Sequence, residues 1–204
     1  MAFEPHPATF AILERNAGSL RERAAGANVE IRRCAVGAGR ATLYLVEPEP
    51  WPTSTGEVRV VATAPAEGRT AATTMCITLD EACRDWSRID IVKIDVEGGQ
   101  DSVIQGAREL LRAHRINHLA YEVSKPEDIS GSLSHHLMEM GYSVWVIDRS
   151  WAGPVLRSIL VDPRPIVGHA TNLLATVDAQ EALAAVKPRG WQCLRGASTR
   201  ASNE

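Results

Sequence analysis

The 204-residue sequence lacks most of the signatures that assign a protein quickly. No apolar run approaches the roughly 20 residues of a membrane-spanning helix, and the amino-terminal MAFEPHP has neither the charged nor the apolar region of a signal peptide. There is no basic run with interleaved aromatics, and the net charge is -3, so nothing electrostatic points to nucleic acid. Cys34, Cys76, Cys83 and Cys193 form no CxxC pair. Without a secretory signal they read as reduced thiols of a cytoplasmic protein, packed as small hydrophobes. A GxSxG elbow and a GxxxxGK phosphate loop are both missing. His6, His114, His118, His135, His136 and His169 are scattered and include no HExxH motif, which favours surface roles over zinc ligation and predicts no metal site. Nucleic acid and membrane are thereby set aside as partners, and a small molecule is left.

What is present is an ordinary globular composition, 45% hydrophobic and 23% charged. That supports one domain with a full core over residues 1–194 and a small, polar, disordered tail over 195–204. The chain is organised around IDIVKIDVEGGQDSVIQGARELL, from Ile89 to Leu111. Its β-branched opening reads as a buried strand. Val103, Ile104, Ala107, Leu110 and Leu111 then recur at helical spacing. Between the two lies an acidic, glycine-bearing turn, Asp95, Glu97, Gly98 and Gly99.

Around that centre strands and helices alternate. Phe3-Glu4-Pro5 reads as the end of a strand, and Pro7 opens a helix with one candidate end at Asn16-Ala17-Gly18 and a second amphipathic piece, Leu20 to Ala25, that extends or follows it. A strand from Val29 to Val36 and another from Ala41 to Val46 suggest a hairpin through Gly37-Ala38-Gly39. Prolines mark 47–74 as a loop-rich insertion with one strand candidate, Val58 to Thr63. Thr78 and Glu81 form a capping box. Later strands are predicted over Ile116–Val123, Tyr142–Asp148, Ser158–Val161 and Asn172–Thr176. Helices are predicted along Leu133-Leu137-Met140, capped by Ser130 or Ser132, and over Gln180–Val186. The alternation argues for an α/β three-layer sandwich, in which ligands lie outside the carboxyl ends of parallel strands.

Three groups of residues could carry chemistry. Lys93, Asp95 and Glu97 alternate along one strand face. They are either a buried ion pair plus a carboxylate that suits the next helix dipole, or acids with a chemical task. Glu4, closing the first strand, is either solvent-facing or an acceptor of ribose hydroxyls. Glu122 ends a later strand with the same two readings.

The pieces FEPHP (Phe3–Pro7), CAVG (Cys34–Gly37), TLDE (Thr78–Glu81), VKIDVEGGQDSVIQGA (Val92–Ala107), YEVS (Tyr121–Ser124) and TNLLA (Thr171–Ala175) stand in an order and at spacings that resemble the FkbM family of S-adenosylmethionine-dependent methyltransferases. The resemblance implies a Rossmann-like class I methyltransferase sheet with an antiparallel last strand. It implies S-adenosylmethionine as cofactor and methyl transfer to a hydroxyl of a polyketide or sugar. Glu4 would take the ribose hydroxyls, Ala35 and Val36 would lie beside the adenine, and Asp95 and Glu97 would face the methyl group. Either acid would then serve as the base. The sequence departs from the family in two places. Gln100 stands where the family has a further carboxylate, and the first strand with its glycine-rich turn has no counterpart. The sheet would be N-terminally truncated, with an exposed edge open to self-association. The competing readings are a binding module of the same fold that has lost the cofactor, and a hydrolase using these carboxylates with a metal.

Overall fold

The computed structural model describes residues 1–24, 26, 28–47, 58–64, 70–96, 98–123, 125–151, 153–166 and 171–186. Expectations for Glu97, His169, Cys193, the tail 195–204 and most of the proline-rich stretch fall outside these residues. The chain is a mixed α/β protein that divides into two compact units, 1–86 with 95–113, and 87–94 with 114–204.

The first unit opens with β1 (Ala2–Phe3), followed by α1 (Pro7–Arg23). Pro7 stands at the start of α1, as its missing N–H and fixed φ favour. The helix runs through Gly18 to Arg23, so the piece around Leu20 extends it, and Gly26 follows at φ +90°, a conformation that favours glycine. β2 (Ile31–Arg32) pairs parallel with β1. β3 (Ala35–Val36), β4 (Ala41–Val46), β5 (Arg59–Val61) and β6 (Thr70–Ile77) form a second sheet in the order β3-β6-β4-β5. The expected hairpin of β3 and β4 is therefore absent. β6 lies between them, parallel to β3 and antiparallel to β4, because the glycine turn spans the width of a strand. β6 also cuts into the expected loop. Its buried positions include Thr74 and Cys76, whereas Met75 is exposed, so its polarity pattern is inverted at Thr74-Met75.

α2 (Leu79–Ala82) begins at the predicted cap, with Thr78 Oγ1 accepting from Glu81 N at 3.0 Å. The helix predicted after the acidic turn is two, α3 (Gln100–Gln105) and α4 (Arg108–Arg112). The break at Gly106-Ala107 is capped from outside: Asp80 Oδ2 accepts from Glu109 N at 3.0 Å and Oδ1 from Leu110 N at 2.9 Å. Cys34, Cys76 and Cys83 are buried and in no disulfide, and burial pushes the Cys34 and Cys76 thiols up.

The second unit holds β7 (Ile89–Ile94), β8 (Ile116–Val123), α5 (Ser132–Glu139), β9 (Ser143–Ser150), β10 (Gly153–Ser158), β11 (Thr171–Thr176) and α6 (Ala179–Ala185). Their sheet order is β10-β9-β11-β8-β7. β7 and β8 are parallel, and β11 runs antiparallel to β8 and to β9, as the last strand of the expected sheet should. Among the described residues β7 pairs with β8 alone, and Ile91 on it is 63% exposed. Leu119, Tyr121, Leu137, Val146, Leu173 and Ala175 are fully buried and form the core of this unit. The strand predicted at Ser158–Val161 lies earlier, at β10; Asp162 N donates to Ser158 O at 2.8 Å and turns the chain there. α5 is capped by Gly131 without a side-chain bond, not by Ser130 or Ser132. Gly141 follows it at φ +89°, the left-handed conformation that ends a helix most cheaply at glycine.

Candidate functional site

Of the candidate residues that the structure describes, Glu4, Ala35, Val36 and Asp95 belong to the first unit, and Lys93 and Glu122 to the second. Glu4 leaves β1 with its N–H donating to Arg32 O at 3.2 Å, which continues the β1–β2 pairing by one residue. Its side chain then folds back, and Oε1 accepts from His6 N at 2.7 Å. Pro5 has no N–H, so His6 offers the first donor the carboxylate can reach along the chain. Among the described residues no other donor meets this half-buried carboxylate. A carboxylate anchored at one oxygen and open at the other suits a pair of vicinal hydroxyls.

His6 contradicts the surface role expected of it. It is 4% exposed, and its ring lies between Glu47 Oε1, 3.0 Å from Nε2, and Thr9 Oγ1, 3.4 Å from Nδ1. As N-cap of α1 it makes no side-chain capping bond. The sequence offered no signal for this arrangement, because Glu47 lies 41 residues away at the end of β4.

Ala35 is buried and Val36 half-buried. At the end of β3, Gly37 N donates to Ile77 O at 3.0 Å and Ala38 N to Ser102 Oγ, also at 3.0 Å. A Cβ on Gly37 would sit 2.9 Å from Cys76 Sγ and 2.9 Å from Ser102 Oγ, and one on Gly106 would sit 1.9 Å from Gly37 O. Both glycines are needed for close approach. The end of β3 is thereby fixed to α3, the helix that follows the acidic turn.

Asp95 opens that turn and is exposed. Gly98 follows at φ +75°, where a side chain would be strained, and Gly99 caps α3, with Val103 N donating to Gly99 O at 3.1 Å. Lys93 is exposed too, so the reading of a buried ion pair does not hold. Glu97, the second candidate acid, lies outside the described residues. Glu122 stands on β8 opposite Asn172, in the other unit. The structure thus joins β3 to the α3 turn, and holds Glu4 separately through β2 and α1. No helix among the described residues is long and apolar enough to cross a membrane.

No curated protein matches the chain. Among solved structures, the methyltransferase FkbM of Methylobacillus flagellatus KT superimposes with a TM-score of 0.53 at 14% identity. The match covers 85% of this chain and 35% of that one, so the chain spans about a third of the length of the structure it resembles. At that identity the likeness is one of fold. The family model of the methyltransferase FkbM domain matches residues 1–144, which include β1 with Glu4, β3, the acidic turn and α3. With the anchored carboxylate and the glycine-packed turn inside the matched span, the chain belongs to the FkbM methyltransferase domain family.

Proposed function

We propose that the chain serves S-adenosylmethionine-dependent methyl transfer to a hydroxyl oxygen of a small-molecule acceptor, of the polyketide or sugar class. The observation that carries the reading is the Glu4 carboxylate, held at one oxygen by His6 N and open at the other, within the span matched by the family model. A carboxylate so prepared accepts hydrogen bonds from two ribose hydroxyls without first paying the entropy of ordering its own side chain. Buried Ala35 and half-buried Val36 give an apolar strand end of the kind an adenine ring packs against. These residues fit the cofactor's nucleoside part.

When bound, S-adenosylmethionine supplies an electrophilic methyl carbon whose bond to sulfur breaks as the bond to the acceptor oxygen forms, the electron pair returning to sulfur. The chain's task is to align that oxygen and take its proton. We assign the proton to the carboxylate of Asp95 or Glu97. From its sequence alone, we assign the acceptor's own contacts to the proline-rich stretch 47–74.

Calorimetric titration with S-adenosylmethionine tests the reading. Saturable heat is expected from folded, monodisperse protein, and its absence at millimolar cofactor sinks the proposal. Asp95→Asn should abolish transfer while leaving cofactor binding and the melting temperature unchanged; retained turnover removes Asp95 from the mechanism.

A further inference from the structure

We infer that His6 is a positioning residue, whose ring, clamped by Glu47, fixes the Glu4 carboxylate for the ribose hydroxyls of the cofactor. The inference rests on the cofactor reading above and adds a positioning task for the side chains of His6 and Glu47.

The argument begins with the backbone. His6 stands between Pro5 and Pro7, so little of the path from Glu4 to α1 is soft. Pro5 has a fixed φ, and a residue before proline is confined to extended conformations, as His6 is at φ -79° and ψ 126°. Its N–H is the donor that holds Glu4 Oε1 at 2.7 Å, and its carbonyl accepts the first bond of α1 from Phe10 N at 2.8 Å. Any rotation of His6 therefore moves the Glu4 carboxylate. What resists that rotation is the ring. It is the one histidine buried among the described residues, and burying an imidazole is costly unless its nitrogens are satisfied. Glu47 Oε1 at 3.0 Å and Thr9 Oγ1 at 3.4 Å satisfy them, the first from the end of β4 and the second from the opening turn of α1. The ring thus ties the start of α1 to the end of β4, a strand in a different sheet from β1. With Glu47 Oε1 accepting from Nε2–H, Nδ1 is left to accept from the Thr9 hydroxyl. The arrangement is that of an outer partner orienting a ligand-binding group, whose loss commonly costs tenfold or more in affinity.

A double-mutant cycle read by calorimetry tests the proposal, with S-adenosylhomocysteine as the titrated ligand. His6→Leu should weaken binding about tenfold. His6→Gln, which can still donate to Glu47, should recover most of that loss. In a Glu4→Gln background His6→Leu should cost nothing further, because the carboxylate it positions is gone. Glu47→Leu should reproduce His6→Leu, and it supplies a second route should His6→Leu fail to fold. Equal losses in the wild-type and Glu4→Gln backgrounds would show a general structural role and overturn the assignment. Wild-type protein that binds no S-adenosylhomocysteine overturns the cofactor reading itself, and this inference with it.

Discussion

Gly106→Ala sets local propensity against packing, and the two make opposite predictions. Gly106 ends α3 at φ -77°, a conformation that alanine adopts without strain. By backbone entropy alone the substitution should stabilise the protein by about 0.5–1 kcal/mol. The contact geometry says otherwise. The added Cβ would stand 1.9 Å from Gly37 O and 2.9 Å from Gly37 C, both backbone atoms that cannot swing aside. Ordinary contact requires the turn to retreat by more than an ångström. That movement strains the bonds that dock it: Ala38 N to Ser102 Oγ at 3.0 Å, Asp80 N to Gly106 O at 2.9 Å, and the Asp80 cap on Glu109 and Leu110. Overpacking costs about 1–3 kcal/mol, and each weakened bond adds about 1 kcal/mol. Less the entropic gain, the net expectation is a loss of about 4–6 kcal/mol. Gly18→Ala is the control: it lies inside α1, and nothing stands within 4 Å of its Cβ position. That variant should gain about 0.5–1 kcal/mol. Urea denaturation followed by circular dichroism reads both, with the midpoint compared at constant slope. A Gly106→Ala protein as stable as the wild type would refute the close approach of the two glycines.

Two further perturbations follow from the same geometry. Asp80→Ala removes the acceptor for Glu109 N and Leu110 N and should cost about 1–2 kcal/mol, with Asp80→Asn losing less, since one acceptor oxygen remains; urea midpoints of the two variants decide it. Burial pushes Tyr121 and Tyr142 from 10.0 up to about 12, and Tyr142 donates to Ile116 O at 2.6 Å. A raised pKa favours the protonated folded state, so this stability is complete below pH 10 and is lost as pH rises through about 12. Thermal melts across that window should show the decline, and Tyr142→Phe should flatten part of it; an unchanged slope would remove Tyr142 as a contributor.

What could be read from the chain and what could not divide along a physical line. β7, β8, β11, α6 and the Thr78 cap follow from periodicity and local chemistry, and they stand close to where those signals put them. β6 escaped because Thr74 is buried while Met75 is exposed, the reverse of what a hydrophobic pattern would predict. α3 and α4 read as one helix because their break is made from outside, by Asp80 and by the approach of Gly37.

The candidate site divides in the same way. As candidates, Glu4 and Asp95 were nameable from the strand ends they close, and Ala35 and Val36 from the family resemblance of CAVG. The contacts that hold them were not. His6 meets Glu47 across 41 residues, Ala38 meets Ser102 across 64, and Asp80 meets Leu110 across 30. A motif can name a carboxylate, but its orientation is set by partners that no local pattern contains. The side chain of a histidine between two prolines at a helix start reads as solvent-facing until the strand that carries Glu47 is placed beside it. Variants at these distant partners, rather than at the motif residues, are therefore the ones that separate a site held ready for its ligand from a fold that merely retains the motif.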